Sequence, residues 1–478
     1  VDLNFNVSFT ALLKSNKNQN KIMNIKFKLT LMSFLQFFVW GAWLITIANY
    51  WFDTKHWSGA EFGAIFSTLG FSSILMPALT GILADKWINA EKLYGILHIL
   101  GGIIIATLPQ VENSTTFFYV IFGAMICYMP TISLSNSVAY TILKNNDFDV
   151  IKVFPPIRVW GTIGFIVAMW ITNLTGNKAS ANMFYISAFA AVALGIYSFT
   201  LPKCVPQRLI SEKASLTEKL GLNAFKLFGT YKMALFFIFS MFLGGALQLT
   251  NMYGDVFLSD FKNVPQYTNS FVVKYSTIIM SISQISETLF ILAIPFFLKR
   301  FGIKQVMLIS LLAWVLRFGL FSYGDPAGGL WMIILSCIVY GMAFDFFNIS
   351  GSLFIETTTD SKIRSSAQGL FMMMTNGFGA VMGSIVSGII IDKFFTLKFV
   401  SLDALLAYLN TDSNNSAIKN LLRGNEVLAG NVLKNPVFIK EWNPIWFSFA
   451  VYALIIAIAF AVLFKHKHNP KDVESVTH

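Results

Sequence analysis

Twelve separate runs of mostly apolar residues, each about the length of a bilayer crossing, leave this chain few ways to fold. A helix needs about 20 apolar residues to span the hydrocarbon core, and with no water there its backbone must pair with itself. Each run therefore reads as a transmembrane helix. The first six fall at Leu29–Trp51, Phe62–Ala84, Leu93–Leu108, Thr116–Leu143, Ile157–Leu174 and Ala181–Leu201. The other six fall at Lys232–Asp255, Phe271–Leu298, Ile303–Tyr323, Leu330–Glu356, Ala367–Phe395 and Trp442–Phe464. A mean hydropathy of +0.63, with only 12% charged residues, excludes a soluble globular protein.

The net charge of +11 could suggest a nucleic-acid polymer as partner, but its placement argues otherwise. Lys and Arg collect in alternate connections: Lys26/Lys28, Lys86/Lys92, Lys144/Lys152, Lys203 through Lys232, Lys299/Arg300/Lys304, Lys362/Arg364 and Lys465/Lys467/Lys471. The positive-inside rule makes these connections cytoplasmic and puts both termini there. The first run is long and lacks a small-residue cleavage pattern, so it is expected to stay in the bilayer and act as its own targeting signal. Residues Val1–Ile22 are polar and rich in Asn and Lys, and Met23 is the more natural start. Cys127, Cys204 and Cys337 have no framework spacing and read as packing residues. No metal or cofactor motif is present, and no histidine falls clearly inside the bundle, which argues against an enzyme.

The long polar break at 202–231 divides the chain into bundles of six helices, 29–201 and 232–465, with tails at 1–28 and 466–478. Leu220–Phe228, after Glu212, Lys213, Glu218 and Lys219, is expected to lie along the membrane surface. Two halves related by an axis along the membrane normal make the major facilitator architecture, whose substrate sits near the midplane. The turn Gly81-Ile-Leu-Ala-Asp85-Lys86 after the second helix and Leu298-Lys299-Arg300-Phe-Gly302 at the equivalent place in the second half resemble the gating loops of that superfamily. A polar stretch, 396–441, separates the last two helices; Leu402, Leu405, Leu406 and Leu409 predict a short amphipathic helix in it.

Ionisable side chains are costly inside a bilayer and tend to mark substrate or proton paths. Asp345 stands inside the apolar run Met332–Phe354. Spacings of three, four and seven place polar groups on shared helix faces: Arg158, Thr162 and Phe165; Gln248 and Asn251; Gln284 and Glu287; Tyr340, Phe344 and Asn348, with Asp345 one step round. Amides pair with a base edge, carboxylates accept from a sugar diol, and Phe or Tyr stacks on a flat ring. A nucleoside combines these features. The alternatives are interhelical glue for Gln248 and Asn251, and paired structural ions for Arg158, Glu287 and Asp345. Arg317 and Glu356, toward the ends of their runs, read as snorkelling, Trp40, Trp43 and Trp51 as interface anchors, and the glycine pairs as close helix contacts. Pro155-Pro156 reads as breaking or starting the helix that carries Arg158.

The strings Phe154-Pro-Pro-Ile-Arg158-Val-Trp-Gly-Thr162-Ile-Gly-Phe165, Leu247-Gln248-Leu-Thr-Asn251-Met, Ser281-Ile-Ser-Gln284-Ile-Ser-Glu287-Thr-Leu-Phe, Ala343-Phe-Asp345-Phe-Phe-Asn348-Ile-Ser-Gly and Ser366-Ala-Gln-Gly resemble the nucleoside:proton symporter family. The likeness runs from about Met23 to Lys467 and leaves out most of 396–441. It implies an all-α, twelve-helix major facilitator fold in a bacterial inner membrane, with nucleoside and proton as partners and no cofactor; a monomer is the expected unit, though the sequence does not fix the oligomeric state. It also implies nucleoside contacts from Arg158, Thr162, Phe165, Gln248, Asn251, Gln284, Glu287, Tyr340 and Phe344, with Asp345 beside them. A proton carrier needs a buried acid near a cation, and Glu287 or Asp345 near Arg158 fits either way. A sugar or other small polar solute carried by the same fold is the rival reading, with a polytopic receptor further off.

Overall fold

The computed structural model describes residues 23–206, 222–360 and 363–467. Helix α1 covers 23–41, unwinds at 42–46, and resumes as Ile47–Asn49 and a wider turn, Tyr50–Thr54. It is followed by α2 (Gly59–Lys86), α3 (Ala90–Thr107), α4 (Ser114–Lys144), α5 (Val150–Leu174), α6 (Asn182–Ser198) and α7 (Tyr231–Asp260). The helix Ser276–Tyr323 is divided at Gly302, whose φ of 77° suits glycine alone, into α8 (276–301) and α9 (303–323). Then come α10 (Leu330–Thr358), α11 (Arg364–Met372 running through the wider turns Met373–Gly379 into Ala380–Phe394) and α12 (Trp442–Leu463). Among the described residues, nine helices are long and apolar enough to span a membrane. Splitting one at Gly302 and adding the shorter α6 and the interrupted α1 gives twelve.

Local chemistry sets many of the ends. Ser58 caps α2 by accepting from the Glu61 N–H, and Asn113 caps α4 by accepting from the Thr116 N–H at 2.8 Å. The break in α1 is tolerated because neighbours take up the carbonyls it frees: Ser187 donates to Val39 O (2.7 Å) and Thr172 to Ala42 O (3.1 Å). Two expectations change. The helix carrying Arg158 starts at Val150, so Pro155 and Pro156 sit inside it rather than at its start, in its second turn. Gly81–Lys86 is the last turn of α2, not a polar loop, and the chain turns only at Trp87, with Lys86 placed favourably at the helix C-terminus.

The even-numbered helix starts and the odd-numbered helix ends define one face, here the loop face; residues 23 and 467 lie on the other, the terminal face. The loop face carries a small cap: strands β1 (Thr396–Ser401) and β2 (Val432–Lys440) pair antiparallel, with Thr396 opposite Lys440. The expected amphipathic helix forms at Leu402–Leu409, and Leu405, Ile418, Leu433 and Val437 make the cap's own core. Leu222–Gly229 forms a 3-10 helix, while the residues just before it in the expected surface segment lie outside the described residues.

The two halves touch through small residues. A Cβ on Gly63 of α2 would collide with the Ser384 carbonyl of α11, and one on Gly70 would lie 2.7 Å from the Gly377 carbonyl. Nearer the terminal face the helices part, and Gly81 has nothing within 4 Å of its Cβ position. The other expected glycine contacts also form: a Cβ on Gly102 would meet Ala191 Cβ at 3.0 Å, and Gly244 abuts the Thr375 backbone. Gly63→Val is therefore expected to cost about 1–3 kcal/mol by overpacking. A lowered melting temperature of the detergent-purified protein checks this, with Gly81→Val, which meets open space, as the unchanged control.

Candidate functional site

Arg158 projects from α5, with its guanidinium carbon 4.1 Å from the centre of the Phe37 ring on α1. Gly161 makes room for this stack, because a Cβ there would lie 2.6 Å from Phe37 Cδ2 and 2.8 Å from Arg158 Nη1. Close contact of α1 with α5, where Gly41 abuts the Phe165 carbonyl, holds Thr162 and Phe165 on the same side. Phe165 meets Trp40 edge-on at 6.3 Å.

From the other half, α8 brings Gln284 and Glu287 and α10 brings Tyr340, Phe344 and Asp345. The two helices approach closely because Gly341 packs on the Ser286 carbonyl, 2.6 Å from its Cβ position. Asp345 is 4% exposed and Tyr340 5%. The charge of Arg158 reaches both Glu287 and Asp345 across the two halves, and Tyr340 lies within reach of both acids. Among the described residues none of these pairs is in direct ionic contact. Opposed charges that interact without touching are what two walls of one cavity present, rather than the closed ion pair of a purely structural bridge.

The amides behave similarly. Gln248 and Asn251 on α7, and Gln284, make no side-chain hydrogen bond to any other described residue, and Gln248 Oε1, Gln284 Oε1 and Asp345 Oδ2 are buried without a protein partner. Interhelical glue is therefore not what Gln248 and Asn251 provide. Thr162 is likewise unpaired. The structure brings Arg158, Glu287, Tyr340 and Asp345 into one electrostatic group.

Several readings are corrected. Arg317 does not snorkel: it is 0% exposed, deep in the second half. Trp43 and Trp51 are not interface anchors but buried at 2% and 0%, and Trp40 packs on Tyr128 and Phe165. A histidine does sit inside the bundle. His98 on α3 is 2% exposed, with Nε2 2.9 Å from Gln36 Oε1, which also accepts from Tyr94 (2.6 Å), while Gln36 donates to Thr131 (3.0 Å). That closed network joins α1, α3 and α4 and reads as structural. Glu356 pairs with Arg364 at 2.7 Å near the terminal face.

The loop face is latched by polar contacts between the halves that single-helix spacing could not reveal. Asn49 donates to Asp255, Lys262 pairs with Asp53, and Trp170 donates to Ser281 Oγ at 2.8 Å. Lys178, between α5 and α6, reaches Ser259 Oγ (3.1 Å), Val273 O (2.7 Å) and Ser276 Oγ (2.9 Å). Burial lowers the pKa of the Lys178 ammonium, and the Asp255 charge opposes that shift. Lys440 of the cap, 3.5 Å over the Phe52 ring, is also lowered by burial and supported by Asp260 and Asp53. The halves are latched at this face and stay in contact along α2 and α11 as far as Ile74, whereas Gly81, nearer the terminal face, has nothing within 4 Å of its Cβ position.

Fold and site together define a solute transporter of the major facilitator type. A family model described as nucleoside H+ symporter matches residues 23–469. The chain is 45% identical over 459 residues to nucleoside permease NupG of Escherichia coli K12, covering 95% of this chain and 100% of the relative. It has the same identity and coverage with the xanthosine permease of that organism. A crystal structure of nucleoside transporter NupG superposes with a TM-score of 0.78 at 45% identity, covering 93% of this chain and all of that one. The chain belongs to the nucleoside proton symporter family.

A test of the latch follows. Replacing Asp53 by Asn removes the partner of Lys262 in a pair whose side chains are only 20% and 27% exposed. Such a pair is worth about 1 kcal/mol, roughly a fivefold shift in population toward opening at the loop face. A cysteine placed at Ser281, which Trp170 covers across the interface, is expected to react two- to fivefold faster with an impermeant maleimide in the Asp53→Asn background; an unchanged rate counts against the latch.

Proposed function

We propose that this chain takes up nucleosides across a bacterial inner membrane by proton symport, with both termini in the cytoplasm and a single chain as the working unit. The carrying observation is that the charge of Arg158 on the first half reaches Glu287 and Asp345 on the second, with Tyr340 near both acids, while Gln248 and Gln284 have buried amide oxygens with no protein partner. The nucleoside lies between the halves. Gln248, Asn251 and Gln284 pair with base edges, Glu287 accepts from the ribose diol, and Phe165, Tyr340 and Phe344 pack on the ring faces, with Arg158 and Thr162 completing the first-half wall. The alternate Lys and Arg clusters support the orientation, which makes the loop face external and the latched form inward-open.

Proton coupling follows from where the charges stand. An ionised acid away from water needs a cation or a proton beside it. The cation belongs to one half and the acids to the other, so the rocking that alternates access changes their separation and with it the need for a proton. Glu287 and Asp345 are the candidates. Gly81, Asp85 and Lys86, where α2 ends at the terminal face, stand where the inner gate closes when the halves rock back. Sugar permeases share this fold, and 22% identity to a sucrose permease of Escherichia coli keeps a sugar in the comparison. The unpaired amides favour a base-bearing ligand.

Labelled uridine, adenosine and xanthosine offered to proteoliposomes, with and without an acidic exterior, test the reading. Accumulation above equilibrium is expected only with the gradient, and competition by nucleosides but not by ribose or sucrose. Glu287→Gln and Asp345→Asn are each expected to reduce that accumulation, by about tenfold at the acid that carries the proton; Asp345→Asn, which removes no assigned nucleoside contact, should spare gradient-free exchange. Normal acid-driven accumulation in both variants would falsify carboxylate coupling.

A further inference from the structure

Arg317 stands on α9, a helix that supplies none of the nucleoside contacts proposed above, yet its donors reach all three helices of the second half that do. Nε donates to Thr250 Oγ1 (3.3 Å) on α7, between Gln248 and Asn251. Nη1 donates to Ser283 Oγ (3.4 Å) on α8, beside Gln284, and to Ser336 O (2.8 Å) on α10, one turn before Tyr340. Ser336 Oγ returns a bond to the Arg317 carbonyl at 2.9 Å, so α9 and α10 are locked reciprocally. The guanidinium carbon sits 4.6 Å from the centre of the Tyr340 ring and 5.0 Å from that of Phe321. Trp314, one turn earlier on α9, meets the same Tyr340 ring edge-on at 5.9 Å.

Packing alone does not call for this arrangement. Arg317 is 0% exposed and, among the described residues, has no carboxylate in ionic contact, while its Nη2 has no partner. A buried cation without a counter-ion is costly, and neutral side chains could tie four helices together more cheaply. What only a guanidinium supplies is a planar fork with several fixed donors and a positive face for an aromatic ring. Tyr340 is that ring, and its other neighbours in charge are Glu287 and Asp345.

We propose that Arg317 is a positioning residue for the nucleoside site: it stacks on Tyr340 to fix that ring, and its donors pin α7, α8 and α10 at the depth of their substrate contacts. This rests on the reading above that Tyr340 touches the nucleoside. Loss of the guanidinium lets Tyr340 leave its position, and affinity falls through Tyr340 rather than through any contact of Arg317 with ligand.

The test is a double-mutant cycle on labelled uridine binding to the purified full chain, with melting temperature read in parallel. Tyr340→Leu and Arg317→Met are each expected to weaken binding roughly tenfold, and the double variant to be no more than about twofold worse than Tyr340→Leu alone. Arg317→Lys keeps the charge but loses the fork and should fall between; it carries the same cycle should Arg317→Met not yield folded protein. Arg317 variants that melt lower but bind uridine within about twofold of the parent overturn the proposal, as do effects of Arg317 and Tyr340 that multiply independently. If Tyr340→Leu alone binds normally, the assignment of Tyr340 to the site fails first and the clamp falls with it.

Discussion

Holding charge where lipid cannot solvate it is the constraint on which this molecule turns. An ionised side chain at mid-bilayer costs about 2.5 kcal/mol or more, yet Arg158, Glu287, Arg317 and Asp345 all lie on helices that cross it. They are kept by different means. Arg317 is enclosed by hydroxyls, a carbonyl and two aromatic faces within one half. Arg158 stands on one half and Glu287 and Asp345 on the other, so the stabilisation its charge gives the two acids exists only while the halves are correctly placed.

That division explains why the helices can be irregular where they are. Between the halves the contacts are glycine against backbone, as at Gly63 with Ser384, which permits sliding without leaving voids the size of a side chain. Within the first half, the unwound stretch of α1 is anchored by Ser187 and Thr172, so the segment leading to Asn49 and Asp53 is irregular in backbone but fixed in place. Packing supplies rigid halves, and the small-residue seam supplies the freedom to move them.

How much could be read from the chain depended on whether the signal was local. All twelve helix runs follow from apolar length, those at Phe271–Leu298 and Ile303–Tyr323 lying on either side of Gly302, while the interruption of α1 at 42–46 needed the backbone, because no proline announces it. Candidate site residues were legible because three- and four-residue spacing on α5, α7, α8 and α10 is a one-helix property. The latch was not, since Asn49 with Asp255 and Asp53 with Lys262 join residues about two hundred positions apart. Arg317 did carry a signal, a charge within an apolar run, but nearness to a helix end suggested snorkelling, and only burial distinguishes the two. His98 was missed for a related reason: its partner Gln36, and the Tyr94 and Thr131 that also bond Gln36, come from three helices, and no spacing on one of them shows that the ring is enclosed.

The cap on the loop face fits the same logic of divided contacts. It is folded around its own small core, and its last strand residue Lys440 sets an ammonium over Phe52 of the first half and within reach of Asp260 of the second. Strand β2 leads directly into α12, whose first residue, Trp442, donates to Asp260 at 3.0 Å. Any rocking that opens the loop face must separate Phe52 from Asp260, and so must draw Lys440 away from at least one of them. A cap tied to both halves by one cation adds to the cost of opening on that side only, because nothing in it reaches the terminal face. The asymmetry tilts the resting balance toward the latched form without touching the residues that face the site.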